Sequence, residues 1–304
     1  MIEPGAISLK ATGRGRRRLL VNRIAEGSAV LAAVLAVSVL AVVTWSVGSR
    51  GIGAINVDFF LKGPSSDFFG GTGGIAPALA GSLLLVGVAT SIALPVGVLI
   101  AIFVSEFAPV SIGRQIRLWL DVLNGFPSIV IGIFVFALAV KTKVPVLGIG
   151  HHESAIAGGC ALAIIMLPLV ARSTMEVLRL VPDQLREASY ALGVSKWQTV
   201  IRVVLPTSFG GILTGTTLAV ARAAGETAPL LFTCAIAGQI VDWNPTHSVQ
   251  SIPLTIYLDS ESADPALHQQ AWAAAFVLIL FVLVTSLTAR LVLERSRRKL
   301  GLRR

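Results

Sequence analysis

Six uncharged runs, at residues 27–47, 75–105, 122–140, 154–171, 203–221 and 269–289, leave this chain few folds to choose from. Each approaches or exceeds the roughly 18 residues a helix needs to cross the hydrocarbon core of a bilayer. Backbone polar groups inside lipid must be satisfied within the chain, so only helices or a closed barrel can span. Barrel strands alternate polar and apolar residues over about 10 positions, and these runs do not alternate. The expected fold is therefore all-α, a polytopic membrane protein with six transmembrane helices. Composition agrees, with 54% hydrophobic residues, 13% charged residues and a mean hydropathy of +0.81.

The basic residues give the orientation. Of 25 lysines and arginines, 20 fall in tails and loops that six spans place on one face: Lys10 to Arg23, Arg114 and Arg117, Arg172 to Arg202, and Arg290 to Arg304. That face is expected to be cytoplasmic, with both termini on it, in the plasma (inner) membrane of a prokaryote. The pI near 10.4 is concentrated beside the membrane, which points to anionic membrane lipid and not to nucleic acid. On the outer loops seven acids oppose four bases, so a free anion would be repelled there.

Several chemistries drop out. Cys160 and Cys234 both lie in apolar runs and form neither a disulfide framework nor a metal cluster. His151 and His152 are adjacent, so they would point to opposite sides of a helix, and a solvated loop is the expected setting. No cofactor is expected. With no G-x-x-x-x-G-K-[ST] phosphate loop and no G-x-S-x-G nucleophile motif, the chain is expected not to hydrolyse ATP itself.

Residues 187–206, EASYALGVSKWQTVIRVVLP, lie between two apolar runs and read as helix, turn, helix. Pro182 suits a helix start, and Asp183 and Glu187 sit near its positive end. Leu185, Ala188 and Leu192 line one face, Gly193 supplies a left-handed terminator, and Ser195 with Gln198 forms a capping box. An amphipathic hairpin of this kind could lie on the membrane surface. Its spacing, however, resembles the EAA loop of ABC importer permeases, E-A-A-x-x-x-G-x(9)-I-x-L-P, with Glu187, Ala188, Gly193, Leu205 and Pro206 in place. Ser189 stands at the third position and Val203 at the isoleucine, both volume-tolerant changes. The resemblance implies that this loop, 182–206, docks onto an ATP-hydrolysing subunit.

Arg222 and Glu226 interrupt the fifth run. An arginine at mid-membrane costs roughly 2.5–3.5 kcal/mol, whereas an i, i+4 pair on a helix returns only about 0.2–0.5 kcal/mol. The pair is either an interhelical salt bridge or a site where the guanidinium binds an oxyanion while the carboxylate holds it in place. Pro229 cannot bond the carbonyl of Gly225, so a kink is expected beside it. Pro95, Pro127 and Pro168 are expected inside other spans, leaving the carbonyls of Ser91, Leu123 and Ile164 unpaired. Gly211 and Gly215 form a G-x-x-x-G that suggests close helix packing, with the partner permease as a candidate neighbour. Asp121 reads as a snorkelling or capped carboxylate at the start of the third span.

ARAAGETAPLLFT (221–233) resembles the phosphate importer permeases, which carry R-A-x-G-E-T here; LNGFPSIVIGIFVFAL (123–138) and SIPLTIYLDSES (251–262) resemble the same family's third span and its outer loop before the last span. The proline in GETAPLL favours the A-type (PstA) subunit over the C-type. The resemblance covers about residues 75–293, which it makes a type I ABC importer permease domain. Around it lie a basic tail at 1–26, an anchor helix at 27–47, an external loop at 48–74 whose GPSSDFFGGTGG segment (63–74) is a mobile element or a linker, and a basic tail at 294–304. Implied partners are a PstC-like permease, a cytoplasmic ATP-binding subunit dimer and an external phosphate-binding protein that delivers phosphate. An ABC permease for another oxyanion, sulfate or molybdate, is the alternative. A proton-coupled secondary transporter using Glu226 would instead predict inverted repeats, and no second copy of a span pattern occurs.

Overall fold

A computed structural model describes residues 14–64, 73–141, 153–234 and 240–299. His151, His152, most of the 63–74 segment and the chain ends lie outside the described residues. Among the described residues the secondary structure is helical, without strands. The chain divides into two units, residues 1–49 and 50–304.

The first unit is carried by α1 (Arg14–Gly51). The helix begins in the basic run, well before residue 27, so most of the segment read as a tail between 14 and 26 continues the anchor. In the second unit a 3₁₀ turn at Ile52–Ala54 and the short α2 (Val57–Leu61) precede α3 (Ala76–Ile102). The segment read as a plain external loop is thus ordered in part, with Asn56 capping α2 through Phe59 N–H at 2.7 Å and the Phe59 ring buried. A π turn at Phe103–Phe107 closes α3, followed by α4 (Val110–Gly125) and α5 (Ser128–Val135), which runs on into a π turn at Phe136–Lys141.

The third span departs from expectation. Instead of one helix over 122–140, α4 and α5 meet at 97°, so among the described residues five helices are long and apolar enough to cross a membrane, or six with the bent pair as one span. Pro127 is the cause: it disfavours helical geometry at Phe126, which is extended at φ −68°, ψ 137°. Pro127 therefore sits at the break and not inside a span, and the Leu123 carbonyl accepts from Phe126 N–H at 3.3 Å and is not left unpaired. Pro95 and Pro168 do lie within helices, in α3 and in α6 (Ala155–Arg179).

Helix α6 is the hub. Its contact with α3 is built from small residues, Ala89, Ala93 and Gly97 against Gly159, Leu162, Met166 and Val170, because helices in lipid associate through close packing and not through water exclusion. The start of α6 is sealed by backbone carbonyls: Thr233, His247 and Pro245 accept from Ser154, Ala155 and Ile156 N–H at 3.0, 2.8 and 2.9 Å. Ile131 and Val135 of α5 pack on Ala161 and Ile165. After α6 come α7 (Asp183–Ala191), α8 (Lys196–Thr199), a π turn at Val200–Val204, α9 (Leu205–Ala224), α10 (Leu230–Thr233), α11 (Ile252–Glu261) and α12 (Pro265–Lys299).

The G-x-x-x-G of α9 packs within the chain and not on a partner. A side chain at Gly211 would meet Val177 at 2.5 Å and one at Gly215 would collide with Ser173, both on α6. Arg172 lies within α6 and not in the loop after it, and its guanidinium pairs with Asp121 of α4, both about half-exposed. Asp121 is thus a paired carboxylate linking α4 to α6. Cys234 is buried and Cys160 half-buried, both free.

Candidate translocation site and coupling surface

Arg222 occupies the last turn of α9, where a cation complements the helix C-terminus, and Gly225 caps that end with its N–H on the Arg222 carbonyl at 3.1 Å. Because Pro229 has no N–H to continue the ladder, the chain leaves the helix here and resumes as α10 only at Leu230. Glu226 therefore lies outside the helix, and the Arg222–Glu226 pair bridges a helix end instead of riding a helix face. The separation is 3.6 Å, Arg222 is 46% exposed and Glu226 16%. The second partner of the guanidinium is Asn124 on α4, whose Oδ1 accepts from Nη1 at a long 3.5 Å.

Two breaks in the backbone face each other at this point. The 126–127 bend is preceded by Asn124, which reaches Arg222, and followed by Gly132, where an added Cβ would fall 2.5 Å from Cα of Pro229. The residue without a side chain lets the two irregular segments touch. A guanidinium offers five N–H donors, and the contacts described engage two of them, both weakly. The arrangement holds a positive, half-open fork beside a carboxylate that limits its travel, a geometry suited to transient bidentate recognition of an oxyanion.

The hairpin forms as its motifs require. Gly193 takes φ +75°, with space around it, and Ser195 and Gln198 make both halves of the capping box. Glu187, Ala188 and Gly193 lie on the exposed surface, together with Leu185 and Leu192. The second helix is no separate element: α8 passes through the π turn into α9, giving one continuous rod over Lys196–Ala224. Leu205 packs partly buried beneath it, and Pro206 stands exposed in the first turn of α9.

What fixes the hairpin to the body was not read from the sequence. Arg186 is largely buried and donates to Glu106 at 2.9 Å, to the carbonyls of Leu178 and Val181 at 3.0 and 2.6 Å, and to Asp183 at 3.1 Å. Ser189 is more than a volume-tolerant replacement: its hydroxyl is buried and hydrogen-bonds Thr199 at 2.8 Å, stapling the two arms. Trp197 and Lys196 approach the Phe107 ring at 6.3 and 5.2 Å. Val200 and Val204 complete the attachment in a core with Val104, Leu178 and Val181. The one available signal was Glu106, a lone acid ending a long apolar run.

Residues 93–299 match the model of the family described as binding-protein-dependent transport system inner membrane component. The chain is 37% identical over 277 residues to the phosphate transport system permease protein PstA of Haemophilus influenzae, covering 91% of this chain and 95% of that one. It is 38% identical over 290 residues to phosphate transport system permease protein PstA 1 of Mycobacterium tuberculosis, covering 93% and 91%. The chain belongs to the PstA permease family. It is accordingly a multi-pass inner-membrane component of a transport system.

Solved structures agree on the fold of this permease. A bacterial alginate ABC transporter chain superposes with a TM-score of 0.59 at 12% identity, over 94% of this chain and 96% of that one. A chain of the MetNI methionine ABC transporter does so at 0.56 and 17%, over 73% and 94%. The architecture is that of type I ABC importer permeases.

Proposed function

We propose that this chain is a transmembrane permease subunit of an ATP-driven inorganic phosphate importer. Arg222, steadied by Glu226, handles the anion in passage, and the hairpin bearing Glu187, Ala188 and Gly193, rooted at Leu205 and Pro206, couples to a separate cytoplasmic ATP-binding subunit dimer. A PstC-like permease supplies the other half of the path, and an external binding protein delivers phosphate past the net-negative outer loops. Both termini face the cytoplasm. The observation that carries the reading is the pairing of near full-length identity to PstA permeases with a half-open guanidinium at two facing helix breaks.

The test is uptake of labelled phosphate by cells that depend on this chain, with the proton gradient collapsed, ATP maintained and excess sulfate present. Uptake that persists, and that Arg222→Gln abolishes while co-purification with the ATPase is retained, is the expected result. Normal uptake by Arg222→Gln would remove Arg222 from the path, and inhibition by sulfate would redirect the substrate.

A further inference from the structure

Helix α4 carries a polar stripe that the translocation reading uses only at one end. Arg114, Arg117, Asp121 and Asn124 are spaced 3, 4 and 3 apart, which places them on one face of a helix. Asn124 reaches Arg222 and Asp121 is neutralised by Arg172 of α6. One and two turns further toward the N-terminus, Arg117 and Arg114 have no acidic partner among the described residues. The acid that comes before them, Glu106, is committed to Arg186.

These two arginines line a groove of about 580 Å³ between the π turn that ends α3 and the first three turns of α4. Two polar atoms in it are shielded from solvent and lack any hydrogen-bond partner, Ser105 Oγ and Arg117 Nε. Unsatisfied buried polar atoms are uncommon in folded proteins and call for a partner, whether water, ion or ligand. The start of α4 adds to the positive field, since Pro109 gives it no side-chain cap and its first turn holds no acid. Arg114, Arg117 and Ser105 thus line a groove at the uncapped start of α4, and its one carboxylate, Asp121, is already paired.

We propose that this groove is a second anion site, for a phosphate-class oxyanion, at the end of the α4 stripe opposite Arg222. Its placement on the cytoplasmic face rests on the proposed orientation of the permease; its chemistry does not. The opposite face of α4 exposes Ile112 and Trp119, so the helix can lie at the membrane interface, and the oxyanion can come from solution or from an anionic lipid headgroup.

The experiment uses the full chain in phosphatidylcholine nanodiscs, with labelled inorganic phosphate as one probe and phosphatidylglycerol retention, read by native mass spectrometry, as the other. Each is measured for the unchanged chain and for Arg222→Gln, and, on the Arg222→Gln background, for Arg114→Gln/Arg117→Gln and for Arg114→Lys/Arg117→Lys, which keeps the charges and controls for folding. Losing charged hydrogen bonds is expected to weaken binding at least about tenfold in the glutamine variant, with the lysine variant recovering most of it. Phosphate bound by Arg222→Gln, and lost when Arg114→Gln/Arg117→Gln is added to it, identifies dissolved phosphate as the ligand. Phosphatidylglycerol retention with that same dependence, without phosphate binding, identifies the lipid headgroup. If neither probe binds the Arg222→Gln chain, or if adding Arg114→Gln/Arg117→Gln to that chain changes the binding of neither, the proposal is wrong. Because binding is read with Arg222 already replaced, failure of the Arg222 reading and failure of this one give different results.

Discussion

Replacing Arg186 by methionine should detach the coupling hairpin while leaving its own motifs intact. The side chain is 15% exposed and its partner Glu106 is 6% exposed, so the substitution strands a carboxylate in a site from which water is largely excluded. It also removes the donors that serve the carbonyls of Leu178 and Val181 at the end of α6. Removing one partner of a buried pair costs about 3–5 kcal/mol, far above the range of exposed pairs, and the retained methylene volume of methionine keeps a cavity from adding to it. A local opening made easier by about 3 kcal/mol is populated at least roughly a hundredfold more often.

The assay is trypsin cleavage after Lys196, which survives the substitution, on membranes with the hairpin face accessible. Cleavage that requires local opening tracks the open population when reclosing is fast. Arg186→Met should therefore be cut about a hundredfold faster than the unchanged chain and should lose ATPase co-purification. The double variant Arg186→Met/Glu106→Gln should recover part of the protection, because the stranded charge is gone. Unchanged cleavage in the single variant, or no recovery in the double, would refute the claim that this buried pair anchors the hairpin.

Gly193→Val places a β-branched side chain at φ +75°, costing about 1–2 kcal/mol or more in backbone strain, and should weaken co-purification with the ATPase while Gly193→Asn retains it. Gly132→Ala brings a Cβ within 2.5 Å of the Pro229 backbone and should separate the two helix breaks, lowering phosphate uptake at unchanged membrane abundance; full uptake would show that their contact is dispensable. Asp259, on α11 outside the long membrane helices, has its carboxyl raised by burial from 3.8 to about 6. The folded state therefore holds that proton more tightly than the unfolded one, a contribution fully present below 3.8 and lost as pH rises through about 6, so thermal stability should fall across that window and Asp259→Asn should flatten the profile.

Sequence periodicity and spacing were enough for the hairpin because its determinants are local. A capping box lies within four residues, and a left-handed glycine needs nothing distant to be recognised. The break within the third span is not legible in the sequence for the converse reason. Apolarity is continuous across Phe126 and Pro127, yet the backbone restriction at that dipeptide turns the helix by 97°, and hydropathy contains no term for it. Arg222 and Glu226 stood out as charges in an apolar run, whereas Asn124, uncharged and 98 positions away, becomes their neighbour only through packing. Arg186 was hidden in a polar segment where one more arginine carries no signal, and its significance lies in burial against a residue 80 positions distant.

Placed together, these features describe how one end of the permease can act on the other. Residues 196–224 form a single helical rod, about 43 Å long at the usual rise, with the hairpin turn at one end and Arg222 in the last turn of the other. The rod has one compliant point, the π turn at Val200–Val204, where Leu205 N–H bonds the Val200 carbonyl and Pro206 has no N–H to offer. Beyond that point Gly211 and Gly215 seat it against α6 so closely that no side chain fits between, which favours sliding along α6 over separation from it. Under the proposed function, a displacement imposed on the hairpin would reach the Arg222 end as movement against Asn124, beside the segment already broken. Both termini of the rod meet irregular backbone, so the movement can be absorbed there without unfolding a helix.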